Sequence, residues 1–276
     1  MTVADAIRTA AEHLSTTSDT ARLDAELLMA NVLGVSRSLM LLTRMRDEAE
    51  PHLAVFENLV SRRAVCEPVA HLLGVQEFFG LEFAVTPDTL IPRGDSETMV
   101  QAALDAAPAD ARVLDMGTGS GALLLAVLHH CPSATGIGID SSAAALDIAA
   151  ANCKRLGLAG RAQFLRASWL EEGWADRLGA FDLVLCNPPY VETDAVLDPD
   201  VRDYEPAAAL FAGPDGLDDY RAIVPQLGKL LAPGGLAIFE IGATQEEAVT
   251  GLARDSGFAV TMRRDLAGRP RALLLR

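Results

Sequence analysis

Hydrophobic and polar positions follow two different periods along this chain, and the period changes near residue 75. Over the first 70 or so residues the spacing is helical. Ser18 or Asp19 can cap a helix running to about Leu33, with Leu23, Leu27 and Asn31 at i, i+4 and i+8 and Gly34 as its stop. Leu53, Phe56, Val60 and Ala64 form another apolar face, ended by Glu67-Pro68 because the residue before proline is pushed out of the α region. Residues 75–85 are rich in β-formers around Gly80 and read as a hairpin. From about residue 94, short apolar runs alternate with helical stretches. Strands are expected near 112–116, 135–140, 162–166, 182–186, 236–241, 258–264 and 271–275. Helices are expected near 96–107, 120–130, 142–156, 218–231 and 244–256. Such alternation predicts a mostly parallel, doubly wound α/β sheet. The chain thus divides into a helical domain 1–74, a hairpin linker 75–93 and an α/β domain 94–276.

Composition narrows the class without naming a function. Half of the 276 residues are hydrophobic and 22% are charged, enough for a full core. The formal net charge of −15 argues against a polyanion partner, which needs clustered Lys and Arg, so direct nucleic-acid binding is not expected. Cys66, Cys131, Cys153 and Cys186 form no C-x-x-C pair and no Cys/His cluster, so neither a metal site nor a disulfide framework is expected. No signal peptide is read at the N-terminus, and no apolar run reaches the ~18 residues of a membrane span. A reducing cytoplasm, no membrane and a monomer are the expectations. The five histidines read as structural or solvated.

Two motifs carry candidate chemistry. Asn187-Pro188-Pro189-Tyr190 directly follows the apolar run 181–186, so it sits where a buried strand gives way to a loop. Two prolines hold that chain stiffly and donate no N–H bonds. An Asn carbonyl and the Pro188 carbonyl make a pair of acceptors for a planar –NH2 group, and Tyr190 offers a flat face to stack on it. A rigid turn with a core tyrosine is the plainer alternative. The second motif, Gly117-Thr118-Gly119-Ser120-Gly121, lies between the strand ending in Asp115-Met116 and the helix from Ala122. Glycines there let a ligand approach the backbone. The next strand ends in Asp140, placed to accept from ribose hydroxyls or, with Ser141 and Ser142, to cap the following helix. The loop of residues 187–217 holds five prolines, and a loop of that length inside a compact domain is usually functional.

These residues resemble the HemK/PrmC family, S-adenosylmethionine-dependent methyltransferases of peptide chain release factors. The resemblance covers most of the chain. Beyond the two motifs it rests on Glu67-Pro68-Val69-Ala70, Thr89-Leu90-Ile91-Pro92-Arg93, Glu205-Pro206, residues 213–217 and residues 265–269. It implies a seven-stranded class I, Rossmann-like methyltransferase domain behind a small N-terminal helical domain for substrate recognition. It also implies methylation of the glutamine amide in a release factor Gly-Gly-Gln loop. By the same resemblance, Asp115, Gly117 to Gly121, Asp140, Trp169 and Asn187 hold S-adenosylmethionine, with Trp169 on the adenine ring or else in the core. Asp115 braces the glycine turn, with a contact toward the cofactor amino group left open. Asn187, Pro188, Pro189 and Tyr190 take the substrate amide. Arg93 holds a substrate carbonyl or phosphate, or closes a surface salt bridge, and Glu205 is equally a loop brace. Where the family has Pro-Asp-Thr-Glu after Ile-Pro-Arg, this chain has Gly94-Asp95-Ser96-Glu97. Serine keeps a hydroxyl for a helix cap, and glycine loosens the approach to that helix. Rival readings are a small-molecule N-methyltransferase, a methyltransferase of nucleic-acid amino groups, and a non-catalytic binding module.

Overall fold

The computed structural model describes residues 1–276 as two compact units. One comprises Met1–Val75 with Leu197–Tyr204, and the other Gln76–Val196 with Glu205–Arg276. The return of residues 197–204 to the helical unit had no sequence signal. There the Tyr204 hydroxyl donates to the Val65 carbonyl at 2.9 Å.

The helical unit contains α1 (Val3–Leu14), α2 (Ala21–Val32), α3 (Arg37–Thr43), α4 (Leu53–Ala64) and α5 (Val69–Leu73). Thr2 and Asp5 open α1 with a reciprocal capping box. Ile7, Leu14, Leu28, Met29, Met40 and Phe56 fill the core. The expected stripe of α2 is not the buried one. Leu23 and Asn31 are exposed, whereas Asp24, Ala25, Glu26, Leu28 and Met29 face inward. Acidic residues occupy that face because each has cationic partners. Arg63 donates to Asp24 at 2.7 Å, and Arg22 and Arg37 each donate to Glu26 at 2.8 Å. The residue preceding the helix is Thr20, and its hydroxyl and that of Ser18 both turn to Asp24.

The second unit opens with the hairpin β1 (Val75–Phe78) and β2 (Leu81–Ala84). Its turn, Phe79-Gly80, has φ of 51° and 75°, as a two-residue type I′ connection requires. Then follow α6 (Glu97–Ala106), β3 (Arg112–Met116), α7 (Ala122–His130), β4 (Thr135–Asp140), α8 (Ala143–Arg155), β5 (Ala162–Arg166) and β6 (Phe181–Cys186). After the helical turn α9 (Pro199–Arg202), which belongs to the helical unit, come α10 (Asp218–Ile223), α11 (Leu227–Leu230), β7 (Leu231–Glu240), α12 (Glu246–Asp255), β8 (Val260–Arg264) and β9 (Pro270–Leu275). The seven strands stand in the order β5-β4-β3-β6-β7-β9-β8. The first five are parallel, and β9 is antiparallel to both neighbours. This is the doubly wound seven-stranded sheet that the alternation and the resemblance predicted. The helix expected over 218–231 is broken, because Pro225 interrupts it with a 3-10 turn. The strand expected from 236 begins earlier, at Leu231.

Alternation along the strands fills two cores. Val113, Leu183, Leu185 and Ile238 pack with Met99 and Leu124 on one face. Leu114, Val184, Cys186 and Phe239 pack with Tyr220 and Leu227 on the other. Buried on both sides, such strands read as continuous apolar runs. The chain winds from β3 outward through β4 and β5, then returns to β6 on the other side of β3. Met116 pairs with Cys186 across that switch, so the loops leaving β3 and β6 start side by side. In open α/β sheets this is where ligands bind. All four cysteines are free thiols, no cluster of metal-ligating side chains exists, and no single helix is long and apolar enough to cross a membrane.

Candidate active site

The glycine turn after β3 is built by backbone demands. Gly117, Gly119 and Gly121 all have positive φ, at 70°, 54° and 83°, which side chains resist. The turn is held from three sides. The Gly117 and Thr118 N–H groups donate to the Ile139 carbonyl at 2.9 Å each. The Gly119 N–H donates to Asp140 Oδ2 at 3.0 Å. Buried Asn152 donates to the Ser120 carbonyl at 2.9 Å and exchanges hydrogen bonds with the Ala84 backbone in β2. Asp140 also accepts from the Ser142 N–H at 2.9 Å through Oδ1, while Ser142 itself caps α8. Thus Asp140 ties the turn to the α8 terminus and still faces the cleft.

Asp115 ends β3 beneath the turn. Its Oδ2 accepts from the Thr118 hydroxyl at 2.6 Å, which is the bracing role expected of it. Its Oδ1 has no partner. Burial pushes this carboxyl up to about 7, with the bond from Thr118 opposing and the charge of Asp140 adding to the rise.

A cleft of about 320 Å³ lies against these elements. Gly117, Thr118, Gly119, Ser120 and Asp140 line one side. Trp169, Asn187, Pro189 and Arg93 line it as well, as do Thr89, Leu90, Pro92, Ser96, Pro206 and Ala208. Asp115, Gly121, Pro188 and Tyr190 do not line it. Trp169 lines the cleft and is partly buried against the core behind it. A Cβ on Gly117 would meet its ring at 3.1 Å, and its indole N–H donates to Asp219 at 2.6 Å.

Asn187 follows Cys186, and its carbonyl oxygen lies 3.9 Å from where a Gly117 Cβ would stand. Tyr190 is anchored at both ends. Its carbonyl accepts from Gln245 Nε2 at 3.0 Å, and its hydroxyl donates to Glu240 at 3.2 Å. Burial, then the charge of Glu240, raises the Tyr190 hydroxyl far above its ordinary range, so it stays protonated and donates. Its ring is partly buried and packs against the core. The loop beyond returns tightly: a Cβ on Gly216, at φ 67°, would lie 2.3 Å from the Tyr190 carbonyl oxygen.

Arg93 is ion-paired with Glu205, whose side chain is buried and also accepts from the Ile91 N–H at 3.0 Å. That pairing joins the Ile-Pro-Arg segment to the far end of the 187–217 loop. Ser96 precedes α6 but makes no cap bond, contrary to expectation; its hydroxyl turns to Glu240. A Cβ on Gly94 would meet nothing within 4 Å, so glycine is not demanded there. Sequence reasoning missed Asn152, Asp219, Glu240, Gln245 and Arg271. Only Glu240, a carboxylate closing an apolar strand, carried a signal.

A family described as the PrmC N-terminal domain matches residues 5–74, and one described as the methyltransferase small domain matches residues 95–202. The release factor glutamine methyltransferase of Bradyrhizobium diazoefficiens is 40% identical over 284 residues, covering 99% of this chain and 94% of that protein. That of Cereibacter sphaeroides is 41% identical and covers 100% of this chain and 99% of its own. That of Geobacter sulfurreducens is 42% identical, covering 87% of this chain and 84% of its own.

Proposed function

This chain belongs to the release factor glutamine methyltransferase family, and on that premise we propose that its cleft methylates the glutamine amide of a release factor Gly-Gly-Gln loop. The observation that carries the reading is the pairing of Met116 with Cys186, which sets a glycine turn beside Asn-Pro-Pro-Tyr at the topological switch. S-adenosylmethionine is the cofactor, and the residues present fit it. The turn is a cradle whose positive φ values exclude side chains. A Cβ on Gly138 beneath it would meet the Thr118 hydroxyl at 2.8 Å. Asp115 leaves one buried oxygen unpartnered, an acceptor suited to a cationic amine. Asp140 offers a carboxylate to ribose hydroxyls, and Trp169 offers an aromatic wall to a purine.

When bound, the cofactor supplies a methyl group activated by its sulfonium. The chain's own task is alignment, because an amide nitrogen is a poor nucleophile. Asn187 stands at the cleft wall, and its side-chain carbonyl, with the main-chain carbonyl of Pro188 buried directly behind that wall, is assigned to accept from the two amide hydrogens and turn the nitrogen lone pair toward the methyl. Alignment of this kind supplies roughly 7–11 kcal/mol in the best cases. The same acceptors favour the positive charge growing on nitrogen. No histidine lines the cleft, and none is needed, since the nitrogen is acidic once methylated. The partner is a release factor, and the helical unit is assigned to its recognition in a cytoplasmic, monomeric enzyme. Mass spectrometry of release factor peptides after incubation with the protein and S-adenosylmethionine tests the reading. A mass gain of one methyl on the Gly-Gly-Gln glutamine is expected, and an unmodified peptide beside a methylated small molecule refutes it.

A further inference from the structure

Glu240 is a buried carboxylate that the mechanism above leaves unused. It is the last residue of β7 and 1% exposed. Its Oε1 accepts from the Tyr190 hydroxyl at 3.2 Å, and Oε2 has no hydrogen-bond partner. Arg271 approaches Oε1 only to 3.8 Å. That guanidinium is shared with Asp95 at 2.7 Å and Asp265 at 3.5 Å. Burial raises the Glu240 carboxyl, and Ser96 and Arg271 oppose the rise. A buried carboxylate held by the Tyr190 and Ser96 hydroxyls and by a guanidinium at 3.8 Å is a costly way to fill a core, and apolar residues of similar volume often hold such positions equally well. What it does reach is on the side of the cleft. Ser96, whose hydroxyl faces Glu240, lines the cavity.

We propose that Glu240 is a positioning residue for methyl transfer, acting through the Tyr190 hydroxyl on the Asn187–Tyr190 segment. The segment has two ends. Cys186 is fixed in β6 by its pairing with Met116 and Phe239. Tyr190 is fixed by Gln245 at its carbonyl and by Glu240 at its hydroxyl. Between them stand two prolines, whose rings lock φ. With both ends held, the stiff segment keeps one arrangement, and the Asn187 and Pro188 acceptors point where the ends dictate. Releasing the Tyr190 end lets the ring and the prolyl peptides shift, so alignment is lost while the glycine turn and Asp140 remain intact.

The inference rests on the proposed transfer chemistry, and its test separates the two. Single-turnover methyl transfer from S-adenosylmethionine to a release factor is measured for wild type, Tyr190→Phe, Glu240→Gln and the double variant. Each single substitution is expected to lower the saturated rate by about 10-fold, within the range of coupling between contacting residues, and the double to fall no further. The KM for the release factor and the affinity for S-adenosylhomocysteine should stay near wild type. A structural role alone would instead shift the melting temperature and leave the saturated rate unmoved. Additive losses in the double variant overturn the proposal, as does a Tyr190→Phe enzyme at the wild-type rate. That second result decides even if Glu240→Gln does not fold. A wild-type protein that transfers no methyl to the release factor refutes the proposed function, and this inference with it.

Discussion

Asp140→Ala tests the part of the site assigned to the cofactor. In the free protein its two oxygens accept from the Gly119 and Ser142 N–H groups at 3.0 and 2.9 Å. Alanine removes both bonds and any bond to ribose. Hydrogen bonds to a charged group contribute about 1.5–3 kcal/mol, and these are only partly buried, so the affinity loss is set at about 1–3 kcal/mol. That is roughly 5- to 150-fold in Kd. Two assays read it. Calorimetry with S-adenosylhomocysteine gives the affinity directly. Thermal melts give it again through linkage: at a ligand concentration ~100 times the wild-type Kd, the wild type gains about 2.7 kcal/mol. A variant that binds 100-fold more weakly gains only about 0.4 kcal/mol under the same conditions. The unliganded variant should also melt lower, by about 2–4 °C per kcal/mol of lost turn bonding. Equal affinity and an equal ligand-induced shift would remove Asp140 from the site and leave it only as the tie between the glycine turn and α8.

Four further outcomes rest on the same geometry. Asn187→Ala should keep cofactor affinity but lower single-turnover transfer by about 10²-fold, as for removal of one preorganised hydrogen-bonding group; transfer at the wild-type rate would reduce Asn-Pro-Pro-Tyr to a turn. Asn187→Asp keeps the shape but places a charge beside the sulfonium and should also transfer more slowly. Removing residues 1–75 should spare cofactor binding and abolish methylation of the intact release factor, although it also strips Leu197–Tyr204 of its helical unit; normal transfer by the truncated chain would point to a small-molecule substrate. Asp115 should give stability a pH dependence. Its folded value, about 7, lies above its ordinary 3.8, so its contribution is fully present below about pH 4 and lost as pH rises through about 7. The Asp115→Asn protein should lose that slope, and parallel melting curves for the two proteins between pH 4 and pH 8 would contradict the assignment.

What could be read in the sequence divides along a physical line. The strands and the glycine turn were legible because their requirements are local. Strands buried on both faces must be apolar throughout, and a turn through positive φ needs glycine. The Asn-Pro-Pro-Tyr motif was legible for the same reason, since stiffness and acceptor pairs belong to the residues themselves. The inner face of α2 was not legible. Asp24 and Glu26 look like solvent residues until Arg63, 39 positions away, and Arg37 are brought to them. The Ser96 hydroxyl misled in the opposite sense: a cap is its usual local use, but the fold offers it Glu240 instead.

The anchoring of Tyr190 belongs to this second kind, and it changes what the motif means. Seen alone, the tyrosine is a ring for stacking, and its hydroxyl is incidental. In the fold, Glu240 reaches it from 50 positions away, and the pairing of Glu240 with Ala272 sets Arg271 close behind. Neither partner can be inferred from spacing, because Glu240 depends on the parallel register of β6 with β7 and Arg271 on the antiparallel register of β7 with β9. The acceptors assigned to the substrate are thus local properties of four residues. Their direction is a property of the sheet, and that is why a substitution at Glu240, outside the cavity, is expected to register in the rate of transfer.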